Sequence, residues 1–274
     1  MNELYLDLMK KALTYSLWPD PGTPMDRTVT NMPMHRKIPL VLLRRLLNAE
    51  NLRVYLDHNV SEVAVQEGRI WPAFAHTMVG LKRLDNIQYC IETVLQDNVK
   101  GDLLEAGVWR GGASIFMRAV LAAYEVKDRR VFVADSFAGL PKPDAEAYPQ
   151  DKFDDHHQYE ILAVSRSEVE SNFRKYGLLD DQVVFLEGWF KDTLPKAPIE
   201  RLSLLRLDGD MYESTMDTLT ALYSKLSVGG FCIIDDYSNL SPCKEAVTRF
   251  REDNNITEPI VEVDWTAVYW RKAN

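Results

Sequence analysis

The sequence predicts an α/β fold: a mainly parallel sheet with helices on both faces, closed at one edge by an antiparallel hairpin and preceded by a helical appendage. Three observations carry this. From residue 80 onward, short apolar runs alternate with helical periodicity, as in a parallel sheet built from crossover units. Residues 259–263 and 266–271 are two strand-like runs separated only by Asp264 and Trp265, too close for a crossover and suited to a hairpin. The first eighty or so residues lack that alternation and read as helices and loops. At 274 residues, with 46% hydrophobic and 27% charged side chains, the chain can bury a sizeable core and is not of disordered composition.

Taken in order, residues 3–17 place Leu4, Leu8, Ala12 and Tyr15 at helical spacing. Pro19, Pro21, Pro24, Pro33 and Pro39 then punctuate an irregular stretch, residues 40–48 read as helix, and 51–79 are mixed, with a break at Trp71-Pro72. A helix is expected over 80–98. Strands follow at 102–106, 130–134, 182–186, 202–207 and 230–234, with helices near 112–126, 165–176, 213–226 and 241–253. Five parallel strands and a terminal hairpin make the pattern of a seven-stranded methyltransferase-type sheet. Residues 136–164 have no periodicity, and an unstructured connection of that length is usually a lid or binding loop. The domain division is therefore 1–79 as appendage and lid, and 80–274 as the main domain.

The net charge of −9 makes a poor partner for a phosphate backbone, so nucleic acid is disfavoured. No apolar run approaches the ~18 residues of a membrane-spanning helix, and MNELYLDLMKK does not read as a signal peptide. Cys90, Cys232 and Cys243 show no metal-type spacing and read as buried or free thiols of a cytoplasmic protein.

Five strand ends carry acids or glycines. The run from Leu104 to Ser114, LEAGVWRGGAS, turns from a strand into a helix; its glycines permit a tight turn close to a ligand, and Glu105 suits a cationic amine. It is neither GxGxxG nor a phosphate P-loop. Asp135-Ser136 ends the next strand, where a carboxylate accepts from a ribose diol or merely starts a turn. Asp208-Gly209-Asp210 and Asp235-Asp236 end two strands expected to be adjacent. Four carboxylates meeting there would repel unless a cation sat among them, and an all-oxygen set suits Mg²⁺, Mn²⁺ or Ca²⁺. Gly188-Trp189 offers an aromatic that either stacks on an adenine or packs at a helix start. Asp154-Asp155-His156-His157 in the long connection reads as solvated loop or as a base that reaches a substrate, and His76 as structural or near a cofactor.

Several of these segments resemble, in order, those of the macrocin O-methyltransferase (TylF) family of sugar O-methyltransferases: RIWPAFAHTMVGLKRLDNIQ, LLEAGVWRGGAS, DSFAGLP, EGWFKDTLP, LRLDGDMYEST and GGFCIIDDY. The resemblance covers nearly the whole chain. It implies a class I fold and an S-adenosylmethionine (SAM)- and Mg²⁺-dependent O-methyltransferase (Mn²⁺ being the alternative metal) that acts on a sugar hydroxyl of a glycosylated natural product. It implies Asp208, Asp235 and Asp236 as metal ligands and Asp210 as general base. It places SAM against Thr77, Met78, Glu105, Gly107, Ser114, Asp135, Ser136, Gly188, Trp189 and Asp208. It also implies a small-molecule glycoside partner and a homo-oligomer. The competing enzyme class is a catechol or caffeoyl-CoA-type metal-dependent O-methyltransferase acting on an aromatic diol.

Overall fold

The computed structural model describes residues 2–19, 22–24, 34–50, 52–56, 61–70 and 73–273. Pro21, Pro33 and the Trp71-Pro72 break lie outside the described residues. Among the described residues, the strands of the main sheet are β1 (Asp102–Ala106), β2 (Val131–Asp135), β3 (Val183–Glu187), β4 (Leu202–Leu207), β5 (Leu226–Ile234), β6 (Val261–Glu262) and β7 (Val268–Arg271). Their spatial order is β3-β2-β1-β4-β5-β7-β6. Strands β1 to β5 pair in parallel, and β7 runs antiparallel to both β5 and β6. A separate two-stranded pair joins Thr23–Pro24 to Tyr55–Leu56.

Both faces of the sheet are buried, because successive residues point to opposite sides. Leu103, Val131, Val133, Leu204, Phe231 and Ile233 belong to one core; Leu104, Phe132, Ala134, Leu205, Cys232 and Ile234 belong to the other. The first core is covered by α1 (Asn2–Leu13), α4 (Leu81–Gln96), α5 (Gly112–Ala123) and α6 (Arg166–Lys175); the second by α8 (Tyr212–Leu222) and α9 (Ser241–Asp253). Between them in sequence lie α2 (Met34–Ala49), α3 (Glu62–Gln66) and the single turn α7 (Phe190–Thr193). All three cysteines are buried and free, and among the described residues no helix is long and apolar enough to cross a membrane.

Helix α1 is built into this body. Leu6, Met9 and Leu13 enter the first core beside Ile115 and Phe116, and Asn2 donates to the Ala123 carbonyl at the far end of α5.

Four elements differ from the pattern read in the sequence. Helix α2 starts at Met34, earlier than expected, and carries Pro39 inside it, forgoing one backbone bond. Strand β5 begins at Leu226 rather than 230, because Leu226 already pairs with Leu202 ahead of a register shift. The hairpin strands are shorter than the apolar runs that suggested them. Residues 136–164 hold only three short 3₁₀ turns, at Pro149–Asp151, His156–Gln158 and Glu160–Leu162.

Candidate active site

Strand β1 sits where the sheet reverses direction, with β2 on one side and β4 on the other. Connections leave these strands toward opposite faces, so a crevice opens beyond their carboxyl ends. A cavity of about 610 Å³ occupies that position. It is bordered by Glu105 and Gly107 after β1, Asp135 and Ser136 after β2, Gly188 and Trp189 after β3, Asp208 and Asp210 after β4, and Asp235 and Asp236 after β5. Thr77 and Met78 reach it from the segment before α4.

The turn after β1 requires glycine. Gly107 has φ +88°, and a Cβ there would lie 1.8 Å from the Asp208 carbonyl oxygen, so β1 and β4 approach each other too closely for any side chain. Asp135 organises the adjoining turns: its Oδ2 accepts from the Val108 N–H at 2.8 Å and its Oδ1 from the Phe137 N–H at 2.7 Å. Burial raises its pKa, while those amides oppose the shift. Ser136 Oγ donates to the Gly139 carbonyl at 2.6 Å, closing the next turn.

Behind the cavity lies a buried ion network. Arg206 is 1% exposed and bonds Glu105, Asp208 (2.9 Å) and Asp235. Arg83, from α4, bonds the other oxygen of Asp235, and its Nε lies 3.0 Å from Asp264 Oδ2 without hydrogen-bond alignment. Burial alone would raise the Asp235 pKa, but the two guanidinium groups outweigh it and hold that carboxyl below its usual range. Asp235, expected among the metal ligands, thus has both oxygens engaged by arginines. Glu105 is fully buried between Arg206 and the Ser114 hydroxyl, and desolvation pushes it up to about 7. Ser114 stands behind Glu105 rather than on the cavity wall.

The remaining acids form a second group. One carboxylate oxygen each of Asp208, Asp210 and Asp236 lies within 4.8 Å of the others. Desolvation raises all three pKa values, that of Asp210 to about 7, and each is raised further by its acidic neighbours. Asp236 Oδ2 is buried without a hydrogen-bond partner. Asp210 has φ +58°, a strained conformation for a non-glycine residue. Of the three, Asp208 is bonded by Arg206 while Asp236 keeps an unpartnered oxygen, and an all-oxygen set of mutually repelling acids is of the kind that suits a hard divalent cation.

The connection at 136–164 covers the crevice. His156, Tyr159, Ile161 and Leu162 face the cavity. Trp109 Nε1 donates to the Ile161 carbonyl at 2.8 Å. Asp151, 1% exposed, accepts from the Tyr212 N–H at 2.7 Å and the Glu213 N–H at 3.0 Å, so it caps α8 two residues past Asp210. His76 is turned away: its Nδ1 lies 2.8 Å from the Tyr176 hydroxyl and its carbonyl accepts from the Gly112 N–H.

Sequence reasoning missed Arg83, Arg206 and Asp151. An arginine inside the buried run LSLLRL was an available signal, since a charge in such a strand needs partners. Asp151 had none, because its partners lie about sixty residues away in sequence.

Residues 2–272 match the family described as Macrocin-O-methyltransferase (TylF). The chain is 54% identical over 274 residues to the mycinamicin III 3''-O-methyltransferase of Micromonospora griseorubida, covering 99% of this chain and 97% of that protein. It is 48% identical over 272 residues to the demethyldecarbamoylnovobiocin O-methyltransferase of Streptomyces niveus, covering 99% and 94%. The solved structure of the O-methyltransferase NovP matches with a TM-score of 0.85 and 46% identity over 100% of both chains.

Proposed function

The chain belongs to the macrocin O-methyltransferase (TylF) family and is a SAM-dependent O-methyltransferase of class I fold, and from that premise we propose that it methylates a sugar hydroxyl of a glycosylated natural product with the help of a divalent cation. The observation that carries the reading is one cavity with a nucleotide-suited rim at β1 to β3 and a cup of carboxylates at β4 and β5. A relative from Streptomyces olivaceus, 50% identical over 271 residues, is named as the 4'-O-methyltransferase of a rhamnosyl-bearing tetracenomycin C, which supports a sugar acceptor here.

On the donor side, Glu105 offers an anionic edge to the amino-acid end of SAM, fixed in place by Ser114 and Arg206. Gly107 lets the backbone close on the ligand, Asp135 and Ser136 face the ribose, and Thr77, Met78, Gly188 and Trp189 wall the base. On the acceptor side, Asp208, Asp210 and Asp236 would hold Mg²⁺ or Mn²⁺; the orphaned Asp236 oxygen and the all-carboxylate set fit such an ion. Arg83 and Arg206 engage both oxygens of Asp235, and Arg206 also bonds Glu105 and Asp208, so Asp235 braces the cup rather than joining it. When bound there, a divalent cation lowers the pKa of an acceptor hydroxyl and orients it. Ile161, Leu162 and Tyr159 shield the chemistry from water, strengthening every charge interaction inside.

Methyl transfer from isotope-labelled SAM to mycinamicin III, demethyldecarbamoylnovobiocin and a catechol tests this. EDTA treatment and Asp236→Asn are each expected to abolish transfer while the Kd for SAM changes by less than about threefold, with Mg²⁺ restoring the EDTA-treated enzyme. Full turnover by verified metal-free protein would remove the cation. Labelling of the catechol alone would move the acceptor to aromatic diols.

A further inference from the structure

The sheet order separates the two halves of the cavity. Glu105, Asp135 and Gly188 on the donor side follow β1, β2 and β3, whereas the carboxylate cup follows β4 and β5. The next neighbour of β5 is β7, so the hairpin turn between β6 and β7 borders the acceptor half. That turn brings Trp265 and Thr266 to the cavity wall.

Trp265 is 37% exposed, yet its indole is fixed. The Nε1–H donates to the Glu67 carbonyl at 2.8 Å. The Arg69 guanidinium lies over the ring, 4.7 Å from a ring centroid, and its Nε donates to Glu67 Oε2 at 2.6 Å. The turn that carries Glu67 is itself tightly seated: Gly68 has φ +62°, and a Cβ there would lie 2.5 Å from the Gly80 nitrogen. The residues on either side of Trp265 are anchored as well. Asp264 Oδ1 accepts from the Thr266 N–H at 3.0 Å and the Ala267 N–H at 2.9 Å. The Thr266 hydroxyl donates to the Asp235 carbonyl at 2.8 Å, and the Thr266 carbonyl accepts from the Ser238 N–H at 2.9 Å. The ring is thus held in a fixed relation to the strand end that carries Asp235 and Asp236.

Arg69 covers one face of the indole, which leaves the opposite face to meet a ligand. The indole N–H is already satisfied, so the ring offers a flat apolar surface and no further donor. An aromatic face is partly negative and attracts partly positive groups. The C–H bonds of a pyranose, polarised by the neighbouring oxygens, are such groups, and they gather on the faces of the ring while its hydroxyls lie at the edge. The polar neighbours Asn239 and Thr266 on the same wall suit that edge. A rigid platform also spares the ordering cost that a flexible side chain would pay on binding. We propose that Trp265 determines acceptor specificity by stacking on the pyranose ring whose hydroxyl reaches the carboxylate cup; this rests on the methyltransferase reading above.

Kinetics and binding on the full chain decide it. With SAM and Mg²⁺ saturating and mycinamicin III or demethyldecarbamoylnovobiocin as acceptor, Trp265→Leu is expected to raise the acceptor KM about tenfold, with kcat and the Kd for SAM within about threefold of wild type. Trp265→Phe keeps a flat ring but loses the N–H to Glu67, and is expected to recover most of that KM. An unchanged KM in Trp265→Leu removes Trp265 from the acceptor site, and a Trp265→Phe as impaired as Trp265→Leu assigns the effect to the tether; either result overturns the proposal. A second readout needs no turnover. In protein labelled with fluorotryptophan and loaded with S-adenosylhomocysteine, the ¹⁹F signal that disappears in Trp265→Phe is expected to shift on titration with the two glycosides and with methyl rhamnopyranoside. If the wild-type enzyme methylates neither glycoside yet this signal shifts with a sugar, the reaction assigned above fails and the platform stands. A signal that moves with none of the three sugars, or with catechol alone, overturns the platform.

Discussion

His76 is a residue whose role only its surroundings reveal. Its ring is packed against Tyr176 and its pKa is lowered to about 4, first by burial and then by the nearby Lys175 and Arg110 charges. An imidazole depressed in the folded state binds fewer protons there than in the unfolded chain between about pH 6.5 and 4. Stability is therefore full above that window and declines as pH falls through it. We expect acidification from pH 7 to pH 5 to shift the urea midpoint downward, with His76→Asn flattening that loss by about 1 kcal/mol after allowing for the partly exposed ring. Equal slopes for the two proteins would show that His76 does not drive it. The sequence offered a histidine at this position and two meanings for it, and could not choose between them. The same holds for the four acids after β4 and β5. Their convergence was readable from two strand ends, but which one the arginines claim depends on Arg83 arriving from a helix more than a hundred residues earlier.

Among the elements, the segment 136–164 and helix α8 act together. The chain leaves β2 without periodic apolar residues, so it stays irregular, and buried Asp151 ties it to the first amides of α8. Because α8 begins just after Asp210, the cap links the cover of the cavity to its carboxylate cup. Asp151→Ala is expected to destabilise the fold by about 1–2 kcal/mol and to speed limited proteolysis within 136–164. Unchanged cleavage there would separate the cap from the cover. The strands themselves were legible because apolar runs of five or six residues between helical patterns have few other solutions. The turns of the cover were not, since each is a single 3₁₀ turn held by distant partners.

For the whole molecule, the decisive feature is a sheet buried on both faces, with α1 sealed into one of them. Leu13 has no exposure and shares a core with Phe116 and Leu84. Leu13→Ala is expected to cost about 2–5 kcal/mol and to lower a single cooperative unfolding transition; a separate early transition for the N-terminal region would show that α1 melts on its own. The sequence by itself determined the parallel sheet, its terminal hairpin, the glycine turn after β1 and the acids at the strand ends, because these follow from periodicity and from the few residues that tolerate such backbone. Tertiary structure alone decided that Asp210 joins Asp208 and Asp236 while Asp235 is bound by arginines, and that His156 borders the same cavity. Those outcomes depend on which buried charges meet across long stretches of chain, and pairing of that kind leaves no local pattern to read.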